Sequence, residues 1–244
     1  MVTLGDLAQA IDERTRNITD LVTITSSHPV AHGGYGAIWR GEYQGKTVAV
    51  KIPRQGEVPL EKFVIRELGS WAMTDHPNVL PLLGYCAEFD KSLRMVSPWM
   101  SNGTVLDFVQ KHEDADPMKL IEGMARGLEY LHELNIVHGD LRCSNILISD
   151  EKEPVISDFG LSRHTLEMPA SSSSHGSHRW RAPELHLPEK FGLTVEGAHA
   201  PPADIWSFGM TILELLTGEP PYHELETNSI VFNAITSGKI PKRP

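Results

Sequence analysis

The order of residue patterns along the chain predicts an α+β protein in two lobes, strand-rich up to about residue 97 and mainly helical beyond it. Three observations carry that expectation. Apolar and polar residues alternate in runs of strand length from Leu21 to Pro53, and further strand-like runs span Val79 to Tyr85 and Leu93 to Ser97. Pro98-Trp99-Met100-Ser101-Asn102-Gly103 then makes a turn-rich connector where the composition shifts. After it, Pro117 to Glu133 and Ala203 to Leu216 show helical patterns.

Bulk properties narrow the function classes. A chain of 244 residues buries a sizeable core in one domain or two lobes. Its formal net charge of −10 argues against a nucleic-acid binder, and leaves the charge of a substrate open because local patches can oppose the mean. Cys86 and Cys143 are too few for a disulfide framework and lack zinc spacing, which points to a reducing compartment. Met1-Val2-Thr3-Leu4-Gly5-Asp6 has no basic n-region, and no stretch reaches about 18 uncharged apolar residues. The expectation is a cytoplasmic chain, or a nuclear one, with no secretory signal and no membrane span.

Residues 1–20 form an N-terminal extension in which Leu4, Leu7, Ala8 and Ile11 have helical spacing, as a docked helix or a frayed terminus. From Leu21 the period becomes that of a strand. Gly33, Gly34 and Gly36 then lie between two strand-like runs, predicting a glycine-rich hairpin whose backbone can approach phosphate oxygens. By itself this pattern reads first as a structural hairpin. The next strand, Thr47 to Pro53, places Ala49 and Lys51 on one face and Val48, Val50 and Ile52 on the other. A lysine there either snorkels or reaches phosphates under the hairpin, and the adjacent glycines favour phosphate. Phe63 to Met73 reads as a helix with Phe63, Leu68 and Trp71 or Ala72 inward and Glu67 as a partner for Lys51. Asp75-His76-Pro77-Asn78 ends it. Pro117 to Glu133 places Met118, Ile121, Met124 or Ala125, Leu128 and Leu131 along one stripe.

Val137 to Gly160 is the stretch richest in chemistry. Ile146-Leu147-Ile148 and Val155-Ile156, joined by an acidic turn, predict a tight hairpin with Asn145 entering one strand and Asp158 leaving the other. That pairing brings two hard oxygen ligands to one end of the hairpin with Asp140 beside them, a candidate site for Mg²⁺ and phosphate. Further on, Ser171 to Ser174 suggest a mobile polar loop, as a solvated segment or as phosphoacceptors. His175 and His178 lack the further ligands that a metal site needs. Ala203 to Leu216 is apolar nearly all round, predicting a buried central helix with Asp204 as its cap.

Together these pieces resemble the eukaryotic protein kinase domain, over roughly residues 24–244. The glycine loop runs Ala31-His32-Gly33-Gly34-Tyr35-Gly36, with Ile38 following; Ala49 and Lys51 lie in V-A-V-K, and Glu67 matches the helix Glu. His138-Gly139-Asp140-Leu141-Arg142-Cys143-Ser144-Asn145 matches the catalytic loop. Asp158-Phe159-Gly160 and Ala182-Pro183-Glu184 match D-F-G and A-P-E. The resemblance implies a bilobal fold: a small antiparallel β-sheet N-lobe with one helix over residues 21–97, and a larger, mainly helical C-lobe over 98–244. It further implies ATP and Mg²⁺ as cofactors, protein substrates as partners, and transfer of the γ-phosphate to Ser/Thr hydroxyls in signalling. Implied nucleotide contacts are Ala31, Gly33, Gly36, Ile38, Ala49, Lys51, Glu67, the gatekeeper Ser97, the hinge residues Trp99 and Met100, and Leu147 as the adenine floor. Implied metal ligands are Asn145 and Asp158. Asp140 is the implied base, with Lys51, Arg142 and Asn145 also catalytic.

Four positions depart from that pattern. Ala31 replaces the first glycine. Gly139 replaces the Arg of H-R-D, which in the family pairs with a phosphorylated activation loop. Arg142 stands where serine/threonine kinases have Lys and some tyrosine kinases have Arg, although Gly176-Ser177-His178-Arg179-Trp180 resembles tyrosine-kinase-like serine/threonine kinases. Finally, the chain stops at Pro244, where the family continues with helices including an Arg partner for Glu184, so the C-lobe is expected to be truncated, as a fragment or as a naturally short domain. A nucleotide-binding pseudokinase or scaffold is the alternative from another class; a tyrosine or dual-specificity kinase is the alternative within the family.

Overall fold

A computed structural model describes residues 11, 13–33, 36–53, 67–87, 93–158, 163–164 and 178–243. The first strands are β1 (Val22–Ile24), β2 (Ala31–Gly33), β3 (Gly36–Tyr43), β4 (Lys46–Pro53), β5 (Gly84–Ala87) and β6 (Leu93–Pro98). They form one sheet in the order β1-β3-β4-β6-β5, with β2 against β3 and every pairing antiparallel. The register sets Ile38 across from Lys51, Arg40 across from Ala49, and Ala49 across from Ser97. Directly opposed residues share a face of a sheet, so Ile38, Ala49, Lys51 and Ser97 line one side. The other side buries Val48, Val50 and Val96 with Ile18 and Cys86. Residue 18 is tied to this sheet through its N–H, which donates to the Tyr85 carbonyl.

The expected features at residues 1–10, Gly34, Phe63 and Ser171 to Ser174 lie outside the described residues. Of the helix expected over 63–73, residues 67–72 (α1) are described, with Leu68 and Trp71 buried as predicted. The strand expected at Val79–Tyr85 begins only at Gly84. Pro81 cannot donate to a ladder, and the amides of Val79 and Leu80 are used elsewhere, on the carbonyls of His76 and Ile156. This segment therefore fastens the sheet to the following half of the chain. Asn78, buried, completes the fastening by donating from Nδ2 to the Pro154 carbonyl and accepting from the Ile156 N–H.

Beyond the connector comes α2 (Val105–Lys111), which the sequence reading did not anticipate. Thr104 and Asp107 cap it reciprocally, a T-x-x-D signature that was available in the sequence. Next, α3 (Pro117–Glu133) begins where Asp116 caps the Met118 N–H. Its buried stripe is Leu120, Met124, Leu128 and Leu131; Met118, placed inward by the sequence, sits in the first turn and is 66% exposed. Gly123 and Gly127 let this helix approach closely, since a Cβ there would lie 2.6 Å from Pro154 and 2.5 Å from the Asn78 carbonyl oxygen. Then β7 (Ile136–Val137) leads to the hairpin of β8 (Ile146–Ile148) and β9 (Pro154–Ile156), paired antiparallel as predicted. β10 (Arg163–His164) pairs with β7. One buried cluster joins Leu68, Trp71 and Met95 to the α3 stripe and to Ile146, Ile148 and Ile156, so a single core runs through both halves.

The remaining helices are α4 (Pro183–His186), α5 (Val195–Ala198), α6 (Pro201–Thr217) and α7 (Asn228–Thr236). The expectation that α6 is buried all round is corrected: Ile205 and Leu216 are 56% and 47% exposed. The helix instead buries Asp204, Ser207, Thr211 and Glu214. Each of those polar groups has a partner, and that satisfaction is what permits the inverted burial.

Candidate active site

The site forms where the sheet face of Ala49 and Lys51 meets the β8–β9 hairpin. Lys51, buried on the short strand β4, donates from Nζ to Glu67 of α1 and, at 2.5 Å, to Oδ1 of Asp158 at the exit of β9. Burial alone pulls the Lys51 pKa down, but the Asp158 and Glu67 carboxylates outweigh it and hold the ammonium well above its ordinary range. Glu67 is pushed up by its own burial, against the pull of Lys51. Lys51 is therefore a fixed cation joining three elements that lie far apart in sequence.

Below it, the hairpin register places Asn145 opposite Ser157. The Ser157 N–H and Oγ both donate to the Asn145 carbonyl at 2.9 Å. Asn145 Nδ2 donates to the Asp140 carbonyl at 2.7 Å and to Asp140 Oδ2 at 3.2 Å. With its nitrogen committed to Asp140, Asn145 presents its carbonyl oxygen on the other side, where the Ser144 hydroxyl donates at 3.3 Å. Asp158 adopts φ +66°, a left-handed conformation that costs a non-glycine residue about 1–2 kcal/mol and is concentrated at functional sites. The oxygens of Asn145 and Asp158 fit Mg²⁺, which takes one or two protein oxygens and completes its shell with water and substrate phosphate.

The loop between β7 and β8 rests on two buried carboxylates of α6. Asp204 accepts from the His138 N–H and the Gly139 N–H, each at 2.8 Å, and lies 2.9 Å from His132 Nε2. The expected capping role is thus corrected: Ala200 is the N-cap, and Asp204 faces the loop between β7 and β8. Glu214 accepts from the Cys143 N–H at 2.9 Å and from the Trp180 indole at 3.0 Å. A helix reading apolar nearly throughout but holding one Asp and one Glu carried this signal, because buried charges persist only with partners. The His138 ring also ties the start of the loop to the residue after β9, with Nε2 2.9 Å from the Ser157 carbonyl. Gly139 has φ +81°, a conformation open to glycine without strain. Arg142 turns to Trp180, its guanidinium carbon 4.8 Å from the ring centroid.

At the hinge, Ser97 is buried opposite Ala49. The Trp99 N–H donates to the Thr47 carbonyl, so it closes the sheet, and the Trp99 ring lies 4.3 Å from the Arg40 guanidinium carbon. Among the described residues nothing accepts from the Met100 N–H, whereas its carbonyl accepts from Gly103. Leu147 is paired with Val155 in the hairpin and packs on the core. Ala31 and Gly33 of β2 pair with Ile38 and Gly36 of β3, as the glycine-rich hairpin predicts, with Gly34 and Tyr35 outside the described residues. The structure thus gathers Lys51, Glu67, Asp158, Asn145 and Asp140 around one centre, flanked by the hinge and the glycine hairpin.

A family model described as protein tyrosine and serine/threonine kinase matches residues 24–244. The chain belongs to that family. It is 30% identical over 233 residues to the serine/threonine-protein kinase STY17 of Arabidopsis thaliana, covering 92% of this chain and 39% of that protein. The probable serine/threonine-protein kinase PBL5 of Arabidopsis thaliana is 34% identical over 211 residues, covering 81% of this chain and 48% of that protein. The leucine-rich repeat receptor protein kinase MSP1 of Oryza sativa subsp. japonica is 32% identical over 206 residues, covering 80% and 15%. The chain spans less than half the length of these relatives. Within this protein kinase domain no helix among the described residues is long and apolar enough to cross a membrane.

Proposed function

We propose that this protein transfers the γ-phosphoryl group of ATP to serine and threonine hydroxyls of protein substrates, in cytoplasmic signalling. The observation that carries the reading is Lys51 held between Glu67 and Asp158, above a loop in which Asn145 is hydrogen-bonded to Asp140. Residues 21–97 would serve as the nucleotide-covering lobe and 98–244 as the acceptor-binding lobe. Mg²⁺ bound by Asp158 and Asn145 supplies charge neutralisation of the phosphates. Lys51 orients the α- and β-phosphates, and its fixed position means that little reorganisation is needed on reaction. Ala49, Ile38 and Leu147 sandwich the adenine, and the Met100 N–H donates to its edge. Asp140 accepts a hydrogen bond from the acceptor hydroxyl and takes its proton.

Serine/threonine specificity is supported by the names of the similar proteins and by the Gly176 to Trp180 stretch. Labelling a generic protein substrate with γ-phosphate and hydrolysing it in acid tests it. Phosphoserine and phosphothreonine are expected. Phosphotyrosine would replace this specificity with the tyrosine reading, and ATP binding without transfer would replace the enzyme with a pseudokinase.

Gly139 adds a regulatory expectation. With no Arg there to receive a phosphate, activity is expected to depend only weakly on phosphorylation of the segment before A-P-E. Phosphatase treatment should change the transfer rate little; abolition of activity, restored by rephosphorylation within 171–174, would contradict this. Placing Arg at the φ +81° position should also cost about 1–2 kcal/mol, read as a lower denaturation midpoint of Gly139→Arg.

A further inference from the structure

Arg179, just ahead of A-P-E, has a use that the proposed transfer chemistry does not involve. Its Nη1 donates to the carbonyls of Pro221 and Tyr222 at 3.1 and 2.5 Å, and its Nη2 donates to the carbonyl of Leu225 at 2.8 Å. Among the described residues it pairs with these main-chain oxygens and with no carboxylate. Three carbonyls converge because the 221–225 turn is unusual. Tyr222 is left-handed at φ +57° and 2% exposed, a conformation that a bulky residue holds only when its surroundings impose it.

The surroundings are visible. Tyr222 packs with Val231, Ala234 and Ile235 of α7, and its hydroxyl donates to the Lys239 carbonyl. On the other side, the residue after Arg179 is locked in place. The Trp180 indole donates to Glu214, its ring stacks under Arg142 of the catalytic loop, and its carbonyl accepts from Ser207. Arg179 therefore bridges two rigid bodies, the α7 turn and the segment leading into A-P-E beside the catalytic loop.

We infer that Arg179 is a positioning residue for the protein substrate, a clamp of unmodified side chain on main-chain carbonyls that docks residues 178–182 against the α7 turn. The planar fork of an arginine can span three acceptors, where a lysine offers one point charge. The inference rests on the proposed protein-kinase activity for its kinetic consequence but not for its structural one. In Arg179→Ala, amide exchange at Arg181 and Leu225 should rise, since their own hydrogen bonds lie within the clamped pieces. The KM for a protein acceptor should rise about tenfold or more, while the KM for ATP stays unchanged, because the clamp lies on the acceptor side alone. Arg179→Lys should fall between the two and keeps the test open if the alanine variant does not fold. Unaltered exchange at Arg181 and Leu225 overturns the clamp, whether or not the wild type transfers phosphate. Raised exchange with an unaltered acceptor KM, or with ATP and acceptor KM rising in parallel, overturns the positioning role. Absence of transfer by the wild type would instead count against the activity, and the exchange result would still decide the clamp.

Discussion

Asp204→Ala should abolish phosphate transfer and destabilise the fold more than any other single truncation of a site side chain. The carboxylate is 1% exposed and serves the His138 and Gly139 amides and the His132 ring at once. Alanine removes every acceptor, and buried donors left unpaired cost about 1–3 kcal/mol each. A total loss of about 3–5 kcal/mol is expected, as for breaking a buried charged network. The loop that carries Asp140 would lose its anchor as well, so activity should vanish even at temperatures where the variant remains folded. Urea denaturation and transfer assays on the same preparation check both parts. Asp204→Asn should be milder in stability, because one oxygen remains to accept while the amide nitrogen faces a donor. An unchanged midpoint in Asp204→Ala would show that these contacts carry little.

Lys51→Met should have the second largest effect, with a pH dependence of defined sign. Without the ammonium, Glu67 and Asp158 lose their shared partner, and a buried carboxylate without a countercharge costs about 3–5 kcal/mol. Burial already pushes the Glu67 pKa upward, and Lys51 is the opposing influence; removing it raises the folded-state value further. A carboxyl whose folded pKa exceeds its unfolded one binds protons more readily when folded, so the variant regains stability as pH falls through the folded pKa. The difference in denaturation midpoint between wild type and Lys51→Met should therefore shrink on going from neutral to mildly acidic pH. Transfer should be lost at both. A gap that widens on acidification would mean that Glu67 does not carry the penalty.

How much of this was legible beforehand differs by element. The β8–β9 hairpin could be read in advance because strand period, turn residues and length agree locally, and the placement of Asn145 beside Ser157 follows from pairing geometry alone. The face of Ala49 and Lys51 followed from the period of two in β4. Errors arose where tertiary demands override local pattern. Val79 to Leu83 is an apolar run of strand length, yet the Val79 amide closes a local turn on His76 and the Leu80 amide bonds to Ile156 in the other half. Met118 fits the apolar stripe of α3 but sits in a first turn facing solvent. In α6, hydrophobicity suggested uniform burial, while the buried face is the one holding Asp204 and Glu214. Arg179 and Trp180 were read only as a specificity signature. The role of Arg179 depends on carbonyls about forty residues later and that of Trp180 on Glu214, Ser207 and Arg142, which no local spacing encodes.

The central claim is that Asp140, presented by the loop resting on Asp204 and hydrogen-bonded by Asn145, accepts the proton of a protein hydroxyl during phosphate transfer. The most direct measurement is γ-phosphate transfer to a protein substrate by the wild type and by Asp140→Asn, with ATP binding followed in parallel. The account predicts retained ATP binding and a rate lower by about a hundredfold or more in the variant. Equal rates in the two proteins would contradict it.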